Sequence, residues 1–452
     1  MPESPIPTEE PVELLVALIQ NACINDGTPD SGNEAKSVAT LAGYFGSDGE
    51  VVEPRPGRQS VVYRVPGREQ GAARLLLIPH LDVVPANPAE WTHDPFGGER
   101  ADGFVWGRGA VDMLNVTAAM AAVFKRYLTG ELPPLPGDLI YCGVADEEAG
   151  GELGAKYLAD QRWDLVGCDY LLTEVAAPPF PTADGPLVPV TAAEKGPAWR
   201  RLTARGVPGH GSQPYGAENA LLPLTEAMNL LGTSSMPVAI TDEWRGFIAG
   251  LSLDPELAGR LVDPDEVDGA IDTLAADDPI FARWAHACTH LTVTPTMLES
   301  GVKANVIPEA GEGNVDVRLL PGQEPSDIDD HFRKTLGASL YDRLTIEPVM
   351  EDVANSSTAM GPLWEAIGDG VETMTGRRAL VPSLTPVSTD ARFFRQRGIP
   401  SYGVGLFDDQ VSFGDMLAMF HGTDERVSEA SVGLTTNLLA EVLAAFGRRT
   451  GT

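Results

Sequence analysis

LLLIPHLDVVP, residues 75–85, places a strand-length apolar run directly before His80 and Asp82. A continuous apolar run this short reads as a buried strand. An imidazole and a carboxylate where that strand should end are residue types that hold metal ions. DLIYCGVA (138–145) repeats the arrangement and runs into Asp146, Glu147 and Glu148. YLLTE (170–174) ends another apolar run in Glu174. WGRGAVDM (106–113) delivers Asp112 after a glycine-flanked turn, and FHGTDERVS (420–428) carries His421.

Helical apolar spacing appears over 9–24, 34–45, 117–128 and 151–160, between strands expected at 61–65, 75–78, 138–145 and 170–174. Such alternation predicts an α/β fold, with helices on both faces of a mostly parallel sheet. Active groups then gather beyond the carboxyl ends of the strands, where the ligand candidates fall.

The pattern changes at Lys195-Gly196. Strands expected at 198–206, 291–300, 313–320 and 344–350 combine with helices at 217–231 and 326–336 into the order β-α-β-β-α-β, a ferredoxin-like α+β unit. An acidic, helix-rich stretch, roughly 241–290, is inserted within it. The α/β pattern resumes with a helix at 364–376, a strand near 401–406 and a closing helix at 429–447. The expected division is a catalytic domain formed by 1–194 and 353–452, interrupted by a lid at 195–352.

The chain has 452 residues and a net charge of −33, which argues against nucleic acid or anionic membrane as a partner because phosphate binding needs clustered Lys and Arg. The acidity reads as a solvated, self-repelling surface, or as a fit to a high-salt habitat. Cys23, Cys142, Cys168 and Cys288 form no C-x-x-C pair and read as packed thiols in a reducing compartment. The N-terminal MPESPIPTEEPVELL has neither a basic nor an apolar leader region, and no apolar run approaches a membrane span in length. The expected setting is cytoplasmic.

Each ligand candidate has a plainer alternative. Asp112 could cap the helix that follows, and the acidic triplet could favour the N-terminus of the next helix. Glu174 could be a solvated strand end, while His210, in RGVPGHGSQPYG (205–216), could be a surface residue. Against these, three carboxylates crowded at one strand end repel unless cations or protons join them. A carboxylate beside His80 could bond its second ring nitrogen and fix the tautomer.

Taken together, HLDVVP (80–85), WGRGAVDM, ADEEAGG (145–151), GHGSQP (209–214), KANVIPEA (303–310), DVRLLPG (316–322), STDARFF (388–394) and FHGTDERV resemble one family over nearly the whole chain. It is the zinc peptidase family that includes glutamate carboxypeptidase, aminoacylase, succinyl-diaminopimelate desuccinylase and acetylornithine deacetylase. The resemblance implies a two-metal exopeptidase-like catalytic domain with an inserted lid. It implies two divalent ions per chain, Zn2+ first with Co2+ or Mn2+ as alternatives, bridged by Asp112. His80 and Glu174 would complete one site, and Glu148 and His421 the other. Glu147 would be the general base toward a metal-activated water, and Asp82 would orient His80. His210 and Asn305 would come from the lid, His210 reaching a partner subunit's site in dimeric members. Arg318 would contact substrate or an interface. A cis peptide is implied after Asp112.

The implied reaction is amide hydrolysis of an N-acyl amino acid or a small peptide bearing a free carboxylate, by deacylation or by dipeptidase/carboxypeptidase action. Glu174, in place of Asp, leans toward the deacylases. A non-catalytic binding relative is the reading from another class, and the presence of every ligand and of Glu147 argues against it. The chain departs from the family at Leu114-Asn115, at Val387-Ser388-Thr389-Asp390, and around Val353–Ser356, where some members carry an arginine. These departures bear on the substrate pocket and the oligomer, not on the ligands.

Overall fold

The computed structural model describes residues 6–175, 177–182 and 184–451. The leader reading above falls partly on residues 1–5, outside the described residues. Strands Leu75–Leu77, Leu139–Gly143, Tyr170–Thr173 and Ser401–Gly403 pair in parallel at the centre of a nine-stranded mixed sheet. Each is fully or nearly fully buried, which is why these segments read as continuous apolar runs rather than alternating ones. An antiparallel hairpin, Glu50–Arg55 with Arg58–Val65, closes one edge.

Helices Glu9–Asn21, Leu114–Leu128, Pro362–Thr375 and Glu429–Thr450 pack together in the layer on one face, and Ala155–Gln161 and Ala391–Arg395 belong to the core on the other. Ala118, Ala119, Ala121 and Ala122 are wholly buried in Leu114–Leu128, letting its neighbours approach closely. Among the described residues Glu429–Thr450 is long and apolar enough to cross a membrane, which corrects the reading that no run approaches that length. It is mostly buried against Pro362–Thr375 and Leu114–Leu128, so its apolar girth is that of a core helix.

The chain leaves the large sheet after strand Val188–Glu194 and returns with Asn355–Ser356, which pairs antiparallel to Ala193 and Glu194. Between them a second sheet runs in the order Thr292–Ser300, Ala310–Leu319, Arg200–Arg205, Leu344–Pro348, all antiparallel. With helices Leu221–Thr233 and Pro325–Tyr341 packed on it, this is the expected ferredoxin-like unit, and Leu202, Leu224, Val317 and Phe332 fill its core.

The acidic stretch forms four helices, Asp242–Gly250, Pro255–Leu261, Val267–Ala275 and Pro279–Thr289. Read from sequence as part of the lid, it packs instead on the large sheet. Trp244, Phe247, Ile248 and Trp284 share a core with Leu187, Val381 and Leu384. Helical spacing reveals that a helix has a buried face but not what covers it. Lys195, wholly buried at the crossover, ties this group in place: Nζ donates to the carbonyl of His290 (2.7 Å), the carbonyl of Ala287 (3.0 Å) and Oγ1 of Thr292 (2.9 Å).

Strand Val188–Glu194, buried along its length, is absent from the sequence reading. Pro189 and the small Ala192 and Ala193 disguise it.

Candidate metal centre

The strand ends converge. Asp112 lies between two imidazoles: Oδ1 is 3.3 Å from Nε2 of His80, and Oδ2 is 3.4 Å from Nε2 of His421. His80 Nε2 is also 3.6 Å from Oε2 of Glu174, and His421 Nε2 is 3.2 Å from Oε2 of Glu148. His80, Asp112 and Glu174 form one group with ligand atoms close enough to share an ion, and Asp112, Glu148 and His421 form another.

These residues fit such ions. Oε1 of Glu148 and Oε1 of Glu174 are buried with no hydrogen-bond partner among the described residues, although a buried carboxylate oxygen ordinarily has one. The charge pattern agrees. Burial raises the Glu148 carboxyl to about 7. Burial and the charge of Glu174 push Glu147 well above the usual carboxylate range. Asp112 and Glu148 raise His421 to about 10. Burial opposes charge on His80, but its hydrogen bonds to Asp112 and Glu174 hold it well above the ordinary imidazole value. The cluster therefore retains protons where cations would otherwise balance its charge.

The backbone that carries the candidate ligands is pinned from below. Main-chain N–H groups of Glu147 and Glu148 donate to Oδ1 (3.3 Å) and Oδ2 (3.2 Å) of Asp82. Asn25 Nδ2 donates to Asp82 Oδ2 at 2.8 Å. Asp82 was expected to orient His80 through its carboxylate. Its main-chain oxygen does so, 3.0 Å from Nδ1, while Oδ1 stands 3.7 Å away. The carboxylate is already committed to the Glu147–Glu148 turn, so the carbonyl takes the ring.

Asp146, the first of the acidic triplet, is a turn residue with φ of 72°. Its Oδ2 accepts from the N–H of Leu153 (2.8 Å), and Oδ1 pairs with Arg58 (2.9 Å), whose Nη2 also meets Glu34 at 2.7 Å.

A second brace joins the Asp112 loop to the His421 loop. Glu425 Oε1 accepts from the N–H groups of Val111 (2.7 Å) and Asp112 (3.0 Å), and Oε2 accepts from Arg108 (2.7 Å) and the N–H of Gly109 (3.1 Å). Arg108 Nη2 reaches over to the carbonyls of Gly422 (2.8 Å) and His421 (3.2 Å). The Asp112–Met113 peptide is cis. Arg108 and Glu425 lie inside quoted motifs, yet no role was read for either. Only the fold shows that one loop's carboxylate answers the other's N–H groups.

Asp390 was also missed. It is buried, neither carboxylate oxygen has a hydrogen-bond partner among the described residues, and burial raises it to about 8. A side chain at Gly151 would lie 2.6 Å from its Oδ1, so that glycine is what admits the carboxyl.

A cavity of about 710 Å³ opens over the cluster, lined by Glu147, Glu148 and His421 and, from the lid, Arg318. Arg318 is held by Asp316 (Nε to Oδ1, 3.1 Å). His210 and Asn305 are not among its lining residues. His210 sits exposed on the ribbon Gly209–His210/Val306–Ile307, with Nδ1 2.7 Å from Oγ of Ser212, and the carbonyl of Asn305 accepts from Gly211.

The chain belongs to peptidase family M20/M25/M40, whose sequence profile matches residues 76–445. It is 27% identical to aminoacylase-1 of Sus scrofa over 423 residues, 92% of this chain and 91% of that protein. It is 26% identical to succinyl-diaminopimelate desuccinylase of Paracoccus denitrificans (strain Pd 1222) over 447 residues, 98% of this chain and 99% of that protein. Its fold is similar to that of an M20 family metallo-carboxypeptidase from Sulfolobus solfataricus (TM-score 0.72, 17% identity, 97% of this chain and 99% of that one). Human carnosine dipeptidase 1 shares the fold as well (TM-score 0.69, 15% identity, 98% and 97% covered).

Proposed function

We propose that this hydrolase carries two divalent ions and cleaves the amide bond of an N-acyl amino acid. The observation that carries this is Asp112, whose two oxygens each face a different histidine–glutamate pair. Asp112 would bridge, with His80 and Glu174 on one side and Glu148 and His421 on the other. Nitrogen mixed with carboxylate oxygen suits Zn2+, with Co2+ or Mn2+ as alternatives. Such ions lower the pKa of water and polarise a carbonyl.

Glu147 takes the proton of the attacking water and delivers it to the leaving amine. A carboxylate beside the cluster, belonging to neither ligand group, can carry the proton between the two steps. Arg318, which lines the same cavity, would hold a substrate carboxylate. The names of the two relatives above and the presence of Glu174 favour deacylation. Dipeptidase or carboxypeptidase action is the second reading, since a peptide's terminal carboxylate would meet Arg318 equally well.

His210 would act on a partner subunit's site, and Asn305, beside it on the lid, would contact substrate. An exposed lid surface supports this: Met297 and Leu298 on the edge strand Thr292–Ser300, with Tyr215, Leu222 and Val302. Four buried free cysteines support a reducing, cytoplasmic setting.

The test is a panel of N-acyl amino acids and dipeptides, assayed with metal-loaded and chelator-treated protein. Metal-dependent release of amino acid from N-acyl substrates supports the reading. Hydrolysis that survives metal removal, or no hydrolysis of any amide, overturns it. Mixing His210→Ala with Glu147→Ala protein tests the dimer: activity regained after subunit exchange supports it, and none regained contradicts it.

A further inference from the structure

A second cavity, about 240 Å³, lies beside the metal cluster, and the mechanism above does not use it. Phe180, Phe247, Trp284, Phe413 and Phe420 supply its aromatic wall, and among the described residues no charged one lines it. Its hydroxyls have partners: Thr191 Oγ1 donates to the carbonyl of Val175 at 2.8 Å and lies 3.4 Å from Oγ of Ser383, and Thr385 Oγ1 accepts from the N–H of Val387 at 3.4 Å. Nothing in it asks for a polar ligand.

Three of its lining residues tie it to the reaction centre. Val175 follows Glu174, Phe420 precedes His421, and Val387 lines both this cavity and the one over Glu147. A fourth, Pro386, accepts from Nη1 of Arg318 at 3.4 Å. One small molecule could therefore set its carboxylate at Arg318, its amide at the cluster and a third group here.

Resting on the proposed function, we infer that this cavity is the specificity pocket, and that it selects substrates bearing a large apolar group. An apolar cavity of roughly 150 Å³ accepts benzene. This one has room for a phenyl or indole ring or a medium alkyl chain. Phe247 and Trp284 come from helices Asp242–Gly250 and Pro279–Thr289, so the acidic helical stretch acquires a function: it brings an aromatic wall to the large sheet beside the ligands.

The apolar group can belong to the acyl moiety or to the amino-acid side chain, and two substrate series separate them. In N-acylglycines the acyl chain is lengthened from acetyl to octanoyl. In N-acetyl amino acids the side chain runs from Ala through Leu to Phe and Trp. Along whichever series enters the cavity, kcat/KM should rise roughly fourfold per methylene until the space is filled. Ser383→Leu, which fills the cavity, should cut the ratio of large- to small-substrate kcat/KM at least tenfold. Phe413→Ala, which enlarges it, should move the optimum to a bulkier group.

Metal-loaded protein is also titrated calorimetrically with 3-phenylpropanoate and with acetate. This arm decides the matter even if no amide is cleaved, a result that would sink the proposed function alone. Tighter binding of the aromatic acid, weakened by Ser383→Leu, supports the pocket. Equal binding of the two acids, rates flat along both series, or a size preference that neither variant changes overturns it.

Discussion

Nδ1 of His80 points at the main-chain oxygen of Asp82, 3.0 Å away. The carbonyl accepts the ring's N–H and leaves Nε2 facing Asp112 and Glu174. The Asp82 carboxylate is therefore free to hold the two N–H groups beneath Glu147 and Glu148. Asp82→Asn should leave the His80 side able to bind metal, because the carbonyl remains. It should lower kcat by roughly 10–100-fold, because the turn that aims Glu147 loosens. Metal analysis beside steady-state kinetics checks this. Loss of metal comparable to that in His80→Ala would show that the carboxylate, not the carbonyl, governs the ring.

Arg108 and Glu425 are both buried and paired at 2.7 Å. Glu425→Ala would leave the guanidinium buried without its partner and free the N–H groups that present Asp112. Unfolding of the metal-free protein in urea should show a loss of about 3–5 kcal/mol. Metal affinity should also fall by roughly 10–100-fold. Glu425→Gln, which keeps an acceptor, should lose less on both counts.

Ligand protonation makes metal binding depend on pH. In the metal-free protein Asp112 and Glu148 raise His421 to about 10, and burial raises Glu148 to about 7. A ligating imidazole must give up that proton. At pH 7.5 metal uptake should therefore release protons, and affinity should weaken as pH falls from 8 to 6. Calorimetric titration in buffers of different ionisation enthalpy measures the release. Heats independent of the buffer would contradict the assignment of His421 as a ligand.

Legibility in the sequence followed physical locality. Leu75–Leu77 before His80, and Tyr170–Thr173 before Glu174, could be read because a buried parallel strand and the candidate ligand that follows it are contiguous. The lid's strand and helix order was legible for the same reason. The Arg108–Glu425 and Arg58–Asp146 pairs were not, since each joins segments far apart in the chain whose meeting no local pattern encodes. The seat of helices 242–289 was equally hidden: Trp244 and Trp284 announce a buried face, and only the fold shows Val381 and Leu384 beneath them. Asp390 had no visible role, because a buried carboxyl without hydrogen-bond partners among the described residues becomes apparent only once its surroundings are built.

Glu147→Gln tests the central claim most directly, with metal content and kcat measured on the same preparation. Glu147 belongs to neither ligand group, so the variant should bind as much divalent metal as the parent protein. Deprived of the proposed base, it should lose roughly 10²–10⁴-fold in kcat toward N-acyl amino acids. Full metal content with kcat undiminished would contradict the account.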